Sequence, residues 1–255
     1  MNDHVYEKTR QSNPNKLTVN QHILPRMSIE RFINGKGVIS VYDKVRSKKF
    51  DANPGNGRFC TSRAWGQATE ANYMKNIECS FQKLADNIIG DCSYRIGINE
   101  NNIINSFFAL WYVRATHKNV NVLNIKSNTI KSMGDVNLTK EQEENLESNG
   151  YIFGRNGGQF PARFMNGITI MIKTNNLANK SMVNEQWGII HAQEGQFVVP
   201  DVPYNYVVPL TPTLCFMSPS TNGTITKHNV AEINRSIMNK SHEYYFANDL
   251  SECPF

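Results

Sequence analysis

The chain has 255 residues, 40% of them hydrophobic and 19% charged, with a formal net charge of +5. Chains of about 300 residues hide roughly 75% of their unfolded surface, so a full core needs no staples here, and the composition excludes wholesale disorder. The modest positive excess permits an acidic partner but is no signature of nucleic-acid binding by itself.

Cys60, Cys79, Cys92, Cys215 and Cys253 are odd in number, and none forms a Cys-x-x-Cys pair. Neither a zinc knuckle nor a disulfide framework is indicated, and free thiols in a reducing compartment are expected. The first residues carry no apolar signal core, and no stretch approaches the ~20 apolar residues of a membrane span. The expectation is a cytoplasmic protein with no membrane partner.

Residues 1–19 are polar and aperiodic and read as a flexible N-terminal tail, with residues 20–255 forming a single domain. In QHILPRMSIERF (21–32), Pro25 suits the first turn of a helix that carries Ile29 and Phe32 inward and stops at Asn34-Gly35. GVISVYDK (37–44) alternates like a strand, and DANPGNGRF (51–59) is loop. From about Gln67 to Ile96 the period is helical, with Met74, Ile77, Phe81, Leu84 and Ile88 three and four residues apart. A second helix runs from about Glu100 to His117; its segment IINSFFALWYV is apolar almost all round, as in a buried central helix.

TKEQEENLESNG (139–150) predicts a short exposed helix, with Thr139 and Gln142 as a capping box. GRNGGQFP (154–161) lacks the Lys-Ser/Thr of a phosphate loop and reads as a plain loop. WGIIHA, QFVVPD, YVVPLT and TLCFMS read as four short strands, the first two joined by the turn QEG. HNVAEINRSIMNKSHEYYFA (228–247) returns to helical spacing. No internal repeat appears. The fold class is α+β, with helices packed around a small, mainly antiparallel sheet and a variable middle near 119–180.

Two charges fall where apolar residues belong. Glu78 interrupts the stripe Met74, Phe81, Ala85, Ile88, and Arg114 ends the stripe Ile103, Phe107, Leu110. A lone buried charge costs several kcal/mol, so each needs a partner or a wet cleft. Two readings stay open: an internal ion pair between the helices, or a cleft floor where Arg114 holds an anion and Glu78 a metal or proton. His22 either packs beside the helix start or, at the positive end of its dipole, presents a neutral imidazole with Arg26 one turn further in. Asp201, after a strand and a proline, is either a turn former or a site carboxylate.

The same segments resemble an uncharacterised family, domain-of-unknown-function family 4238. QHILPRMSIERFINGKGVISVYDK is similar to its opening motif and strand, and IECSFQKLADNI to its glutamate-bearing helix. FFALWYVRATHK resembles its central helix ending in Q-x-x-R-T. FVVPDVPYNYVVPLTP resembles its S-D-x-P and P-L-S/T-P segments, and AEINRSIMNKSHEYYFAND its asparagine-bearing last helix. Trp111 stands where the family often has Gln, and Pro200 where Ser usually precedes Asp. By matched position the resemblance marks His22, Arg26, Glu78, Arg114, Asp201 and Asn234; it implies no established activity.

Three functions compete. In a phosphoester hydrolase of nuclease type, His22 is the general acid or base and Arg26 and Arg114 clamp phosphate. Glu78 and Asp201 then hold Mg²⁺ or Mn²⁺ through hard oxygen ligands, with Asn234 in support. In a non-catalytic sensor the same arginines bind a nucleotide or other anion, with RATHK (114–118) and RSKK (46–49) as a basic rim. In a protein-interaction module the Glu–Arg pair is purely structural.

Overall fold

A computed structural model describes residues 4–91, 94–126 and 137–255. In chain order the first part holds β1 (Asn20–His22), α1 (Arg26–Glu30), β2 (Ile39–Asp43), β3 (Lys48–Ala52) and β4 (Cys60–Ser62). Then come α2 (Lys75–Gly90), α3 (Ile98–Thr116), β5 (Asn124–Lys126), α4 (Lys140–Ser148), β6 (Gln159–Pro161) and α5 (Ala162–Asn176). The last part holds β7 (Gly188–Ala192), β8 (Val199–Pro200), β9 (Val207–Thr211), β10 (Leu214–Met217), β11 (Gly223–Ile225), α6 (Lys227–Lys240) and β12 (Tyr244–Ala247). The architecture is α+β, as expected.

One sheet has the order β3-β2-β12-β8, antiparallel throughout. The other has the order β11-β7-β10-β9, antiparallel except for the parallel pair β11–β7. Pro200 and Pro209 lie in β8 and β9, both edge strands, where a missing N–H breaks no inner ladder. Both faces of the inner strands β12 and β10 are covered. In β12, Tyr244 and Phe246 enter the larger core and Tyr245 and Ala247 the smaller one; in β10, Phe216 and Cys215 divide the same way. The period of two therefore hides inside continuous apolar runs. The helices α2 and α3 close the larger core, where Phe81 stacks on Phe107, and α6 closes the smaller with Val230 and Ile237.

The central helix is as anticipated. Between Ile103 and Val113 most side chains are buried, and Tyr112 is the exposed exception. Thr139 and Gln142 form the capping box of α4.

Other expectations are corrected. The first long helix ends at Gly90 rather than near Ile96, and it begins as a wider π turn over Thr69–Met74. The helix after Pro25 is only Arg26–Glu30, and His22 ends β1 rather than standing at a helix N-terminus. The turn after β7 does not make a hairpin with β8, because the two strands belong to different sheets. EYYFA continues the spacing of α6 in sequence but forms β12, an inner strand. The helix α5 lies where the sequence suggested only variability. Its Gly167 meets the turn before α2 so closely that a Cβ would sit 2.6 Å from Thr69 Oγ1.

Two corrections concern charge. The helix α4 is not an exposed one, since Glu143, Glu144 and Glu147 are buried. Glu147 accepts from Arg63 at 2.7 Å and Arg163 at 2.6 Å, and Glu143 from Arg155 at 2.5 Å. Nor are residues 4–19 a loose tail. Glu7 pairs with Lys140, Arg155 and Arg163 at 2.6–2.8 Å, Arg10 with Glu144 at 3.2 Å, and Leu17 is buried.

Candidate functional site

The wide turn before α2 has a consequence for spacing. Residues four apart stay on one face through it, so Glu70, Met74 and Glu78 all reach Arg114 on α3. Arg114 is 1% exposed. One terminal nitrogen donates to Glu78 Oε1 and to the His22 carbonyl at 3.4 Å. Its Nε lies 3.2 Å from Met74 Sδ, its other terminal nitrogen 3.6 Å from Glu70 Oε2, and its guanidinium 5.4 Å from the Trp65 ring centroid. Trp65 donates its indole N–H to Glu70. This is the ion pair that the two interrupted stripes implied, enlarged by a second carboxylate. Glu70 escaped the sequence reading, although its place four residues before Met74 was the available signal.

The other marked residues do not join this cluster. The His22 ring bonds the Pro54 carbonyl at 3.1 Å, leaving only the main chain of His22 on Arg114. Arg26 is exposed and pairs along its own helix with Glu30 at 2.8 Å. Asn234, fully buried on α6, accepts from Val198 N and donates to the carbonyls of Gln196 and Pro254, which ties the helix to two loops. Asp201 is 3% exposed. Its Oδ1 accepts from Val202 N at 3.0 Å and His242 N at 2.9 Å, and its Oδ2 from Glu243 N at 2.7 Å. No hydrogen bond or ion pair among the described residues links Asp201 to Glu78 or Arg114. The expected metal pair Glu78 and Asp201 is thus divided between an arginine and a set of backbone amides, and the described residues hold no group of three or more metal-type ligands.

Asp201 instead lines a separate polar cavity of about 250 Å³, together with Arg58, Cys60, Lys118, Glu243 and Tyr244. The sequence marked Lys118 only as part of a basic rim. β4 provides Cys60, whose strand partner is His22, and β12 provides Tyr244, so the cavity opens between the β1–β4 pair and the first sheet. Its acids are committed. Asp201 faces three amides, Glu243 pairs with Lys118 at 2.6 Å, and Arg58 reaches the buried Asp43 behind the wall at 2.9 Å. His4, in the wall, accepts from Val120 N at Nδ1 and so donates from Nε2 to the Ser62 carbonyl, as a neutral ring must.

The hydroxyl and thiol in this wall stay protonated. Burial holds the Tyr244 phenol well above its usual range, and Asp201, Glu243 and Cys60 push the same way. Burial, then Glu70, lifts the Cys60 thiol to about 11. No described residue hydrogen-bonds the Tyr244 hydroxyl, although the residue is only 3% exposed. The Tyr244 O–H therefore meets the cavity without a protein acceptor, beside the ion-paired Arg58 and Lys118. No described helix is long and apolar enough to cross a membrane. Comparison with protein-family models, with curated proteins and with solved structures returns no match for this chain.

Proposed function

We propose that the chain is a binding domain for a small anion, a phosphate or carboxylate, held in the cavity of Arg58, Lys118 and Tyr244. The observation that carries this reading is the Tyr244 hydroxyl, a neutral donor without a partner among the described residues, in a cavity that Arg58 and Lys118 also line. An acceptor-rich ligand gives that hydroxyl the partner that the protein does not supply, a hydrogen bond of about 0.5–1.5 kcal/mol. At about 250 Å³ the cavity suits a small ion or metabolite and lies below the usual range of drug-sized sites. The sensor reading of the sequence is thereby kept and moved from Arg114 to Arg58 and Lys118.

Calorimetric titration with inorganic phosphate and with succinate tests it. Tyr244→Phe removes only the hydroxyl, so it should weaken binding about tenfold while leaving the urea melt unchanged or slightly improved. Saturable binding that ignores Tyr244→Phe, or none up to millimolar ligand, would overturn the proposal.

A second reading, a Mg²⁺- or Mn²⁺-dependent phosphodiesterase acting on nucleic acid, draws on one observation. Glu70 and Glu78, side chains 21% and 25% exposed, converge beside Arg114. Turnover of single- and double-stranded DNA and RNA with either ion, abolished by Glu70→Gln and by Glu78→Gln, would favour it. Absence of turnover on all four would end it.

A further inference from the structure

A second pocket, of about 420 Å³, is lined by Phe108, Tyr112, Leu177, Pro203, Tyr204 and Tyr206, together with the exposed Asn205. None of these residues lines the polar cavity. Phe108 and Tyr206 lie 5.3 Å apart between centroids and join the pocket floor to Trp187. The rings of Tyr112 and Tyr204 make no contact with another described ring, and no described group bonds the hydroxyls of Tyr112, Tyr204 or Tyr206. Nor does any bond the Asn205 amide. Lys240 holds its ammonium 5.6 Å from the Tyr204 centroid, in no ion pair with a described residue.

The backbone supports the same place. Val207 N donates to Tyr204 O at 3.3 Å across a turn whose central residues, Asn205 and Tyr206, have φ of 57° and 50°. Asn tolerates that left-handed region; a tyrosine there is uncommon, and such outliers gather where a ligand is clamped. The turn sets the Tyr206 ring against Phe108 and leaves Asn205 exposed in the pocket lining.

Clustered tyrosine rings, an exposed amide that both donates and accepts, and a cation over Tyr204 together suit a nucleotide. We propose that this pocket binds the base of a nucleotide. The base stacks on the tyrosines, Asn205 reads its edge, and Lys240 faces the phosphate. Stacking tolerates any base, so the amide carries what discrimination there is. The volume takes a base with its sugar and falls within the range of small-molecule sites.

Titration with AMP and GMP, followed by tyrosine fluorescence and NMR, tests this on the whole chain. Tyr112→Ala should weaken binding about 5- to 150-fold, the span of base–aromatic stacking. Asn205→Gly suits the positive φ, so it should weaken binding while the melting temperature holds or rises. Lys240→Gln should weaken AMP and leave adenosine unchanged. A short single-stranded oligoadenylate that outcompetes AMP would make the source an unpaired strand, and equal affinity per base a free nucleotide; both support the site. No saturable shift with either nucleotide at millimolar concentration overturns it. So does binding that survives both Tyr112→Ala and Asn205→Gly, or displacement of nucleotide by a proline-rich peptide at lower concentration.

Discussion

Glu147→Gln changes one oxygen of one side chain, yet it should be among the costliest substitutions in this protein. The Glu147 side chain is 3% exposed, and its two guanidinium partners are nearly as hidden, Arg63 at 1% and Arg163 at 6%. The amide keeps one acceptor but turns an N–H₂ toward two arginines that can only donate. Breaking a buried pair from one side costs about 3–5 kcal/mol, because a charge is then stranded without water. In a chain of this size each kcal/mol moves the melting temperature by about 2–4 °C, so a fall of about 6–20 °C is expected. Glu141→Gln is the control on the same helix. Its carboxylate is 71% exposed and 3.2 Å from Arg10, so it should cost less than about 1 kcal/mol. Urea melts of the two variants give the comparison. If Glu147→Gln costs no more than Glu141→Gln, the network is solvated and the reasoning fails.

Leu110, 1% exposed in α3, should lose about 2–5 kcal/mol on truncation to alanine, and an unchanged urea midpoint would remove the central-helix assignment. Because Glu70 stands 3.6 Å from Arg114, Glu78→Gln alone should cost only about 1–3 kcal/mol, while Glu70→Gln with Glu78→Gln should exceed the sum of the single losses. Strict additivity in that cycle would show that Arg114 is not shared. Burial raises the Glu7 carboxyl, but bonds from Lys140 and Arg155 and the charge of Arg163 outweigh it and hold it at about 2. A folded-state value below the ordinary 4.5 means stability present above that value and lost as pH falls toward 2. Glu7→Gln should therefore flatten the acid limb of a stability–pH curve, and an unaltered slope would count against the clasp. His22→Ala removes one bond to Pro54 O and should cost about 0.5–1.5 kcal/mol in the same melts; a far larger loss would give the ring a role beyond that contact.

The sequence revealed some elements and hid others for physical reasons. The helix α3 was legible because IINSFFALWYV has no polar face wide enough for water. Glu78 and Arg114 were legible as a pair because each interrupts an apolar stripe. The strand β12 was not, because its two faces enter two cores and the alternation that marks a strand disappears into YYFA. The helix α5 carries Gly167 and a run of β-branched residues, all poor helix formers, and it is held by packing against α3 and the turn before α2. The acids of α4 read as a solvated face because their partners are remote; Arg63 is 84 residues from Glu147. Periodicity tells which side of an element turns inward, not who meets it there.

Asp201 shows why that distinction decides where chemistry should be sought. A carboxylate at a strand end beside a proline looks available, and its two oxygens are taken by amides up to 42 residues away. Arg114 likewise looks like a phosphate clamp and is taken by two glutamates, an indole and a thioether. A charge in an apolar setting proves only that something answers it, and in a chain that buries this many ionic groups the answer comes from the protein itself. The informative groups are those left unanswered. The Tyr244 hydroxyl faces a polar cavity without a partner among the described residues, and no described group bonds the exposed Asn205 amide or the three tyrosine hydroxyls of the aromatic pocket. None of them departs from an expected pattern in sequence, since tyrosine suits a strand and asparagine a turn. A search for function that starts from unsatisfied donors therefore leads to different residues from one that starts from misplaced charges, and Tyr244→Phe against Arg114→Met is the comparison that separates them. If ligand binding follows Tyr244 while stability follows Arg114, the division of labour holds. If Arg114→Met abolishes binding with the melt intact, the charges were the site after all.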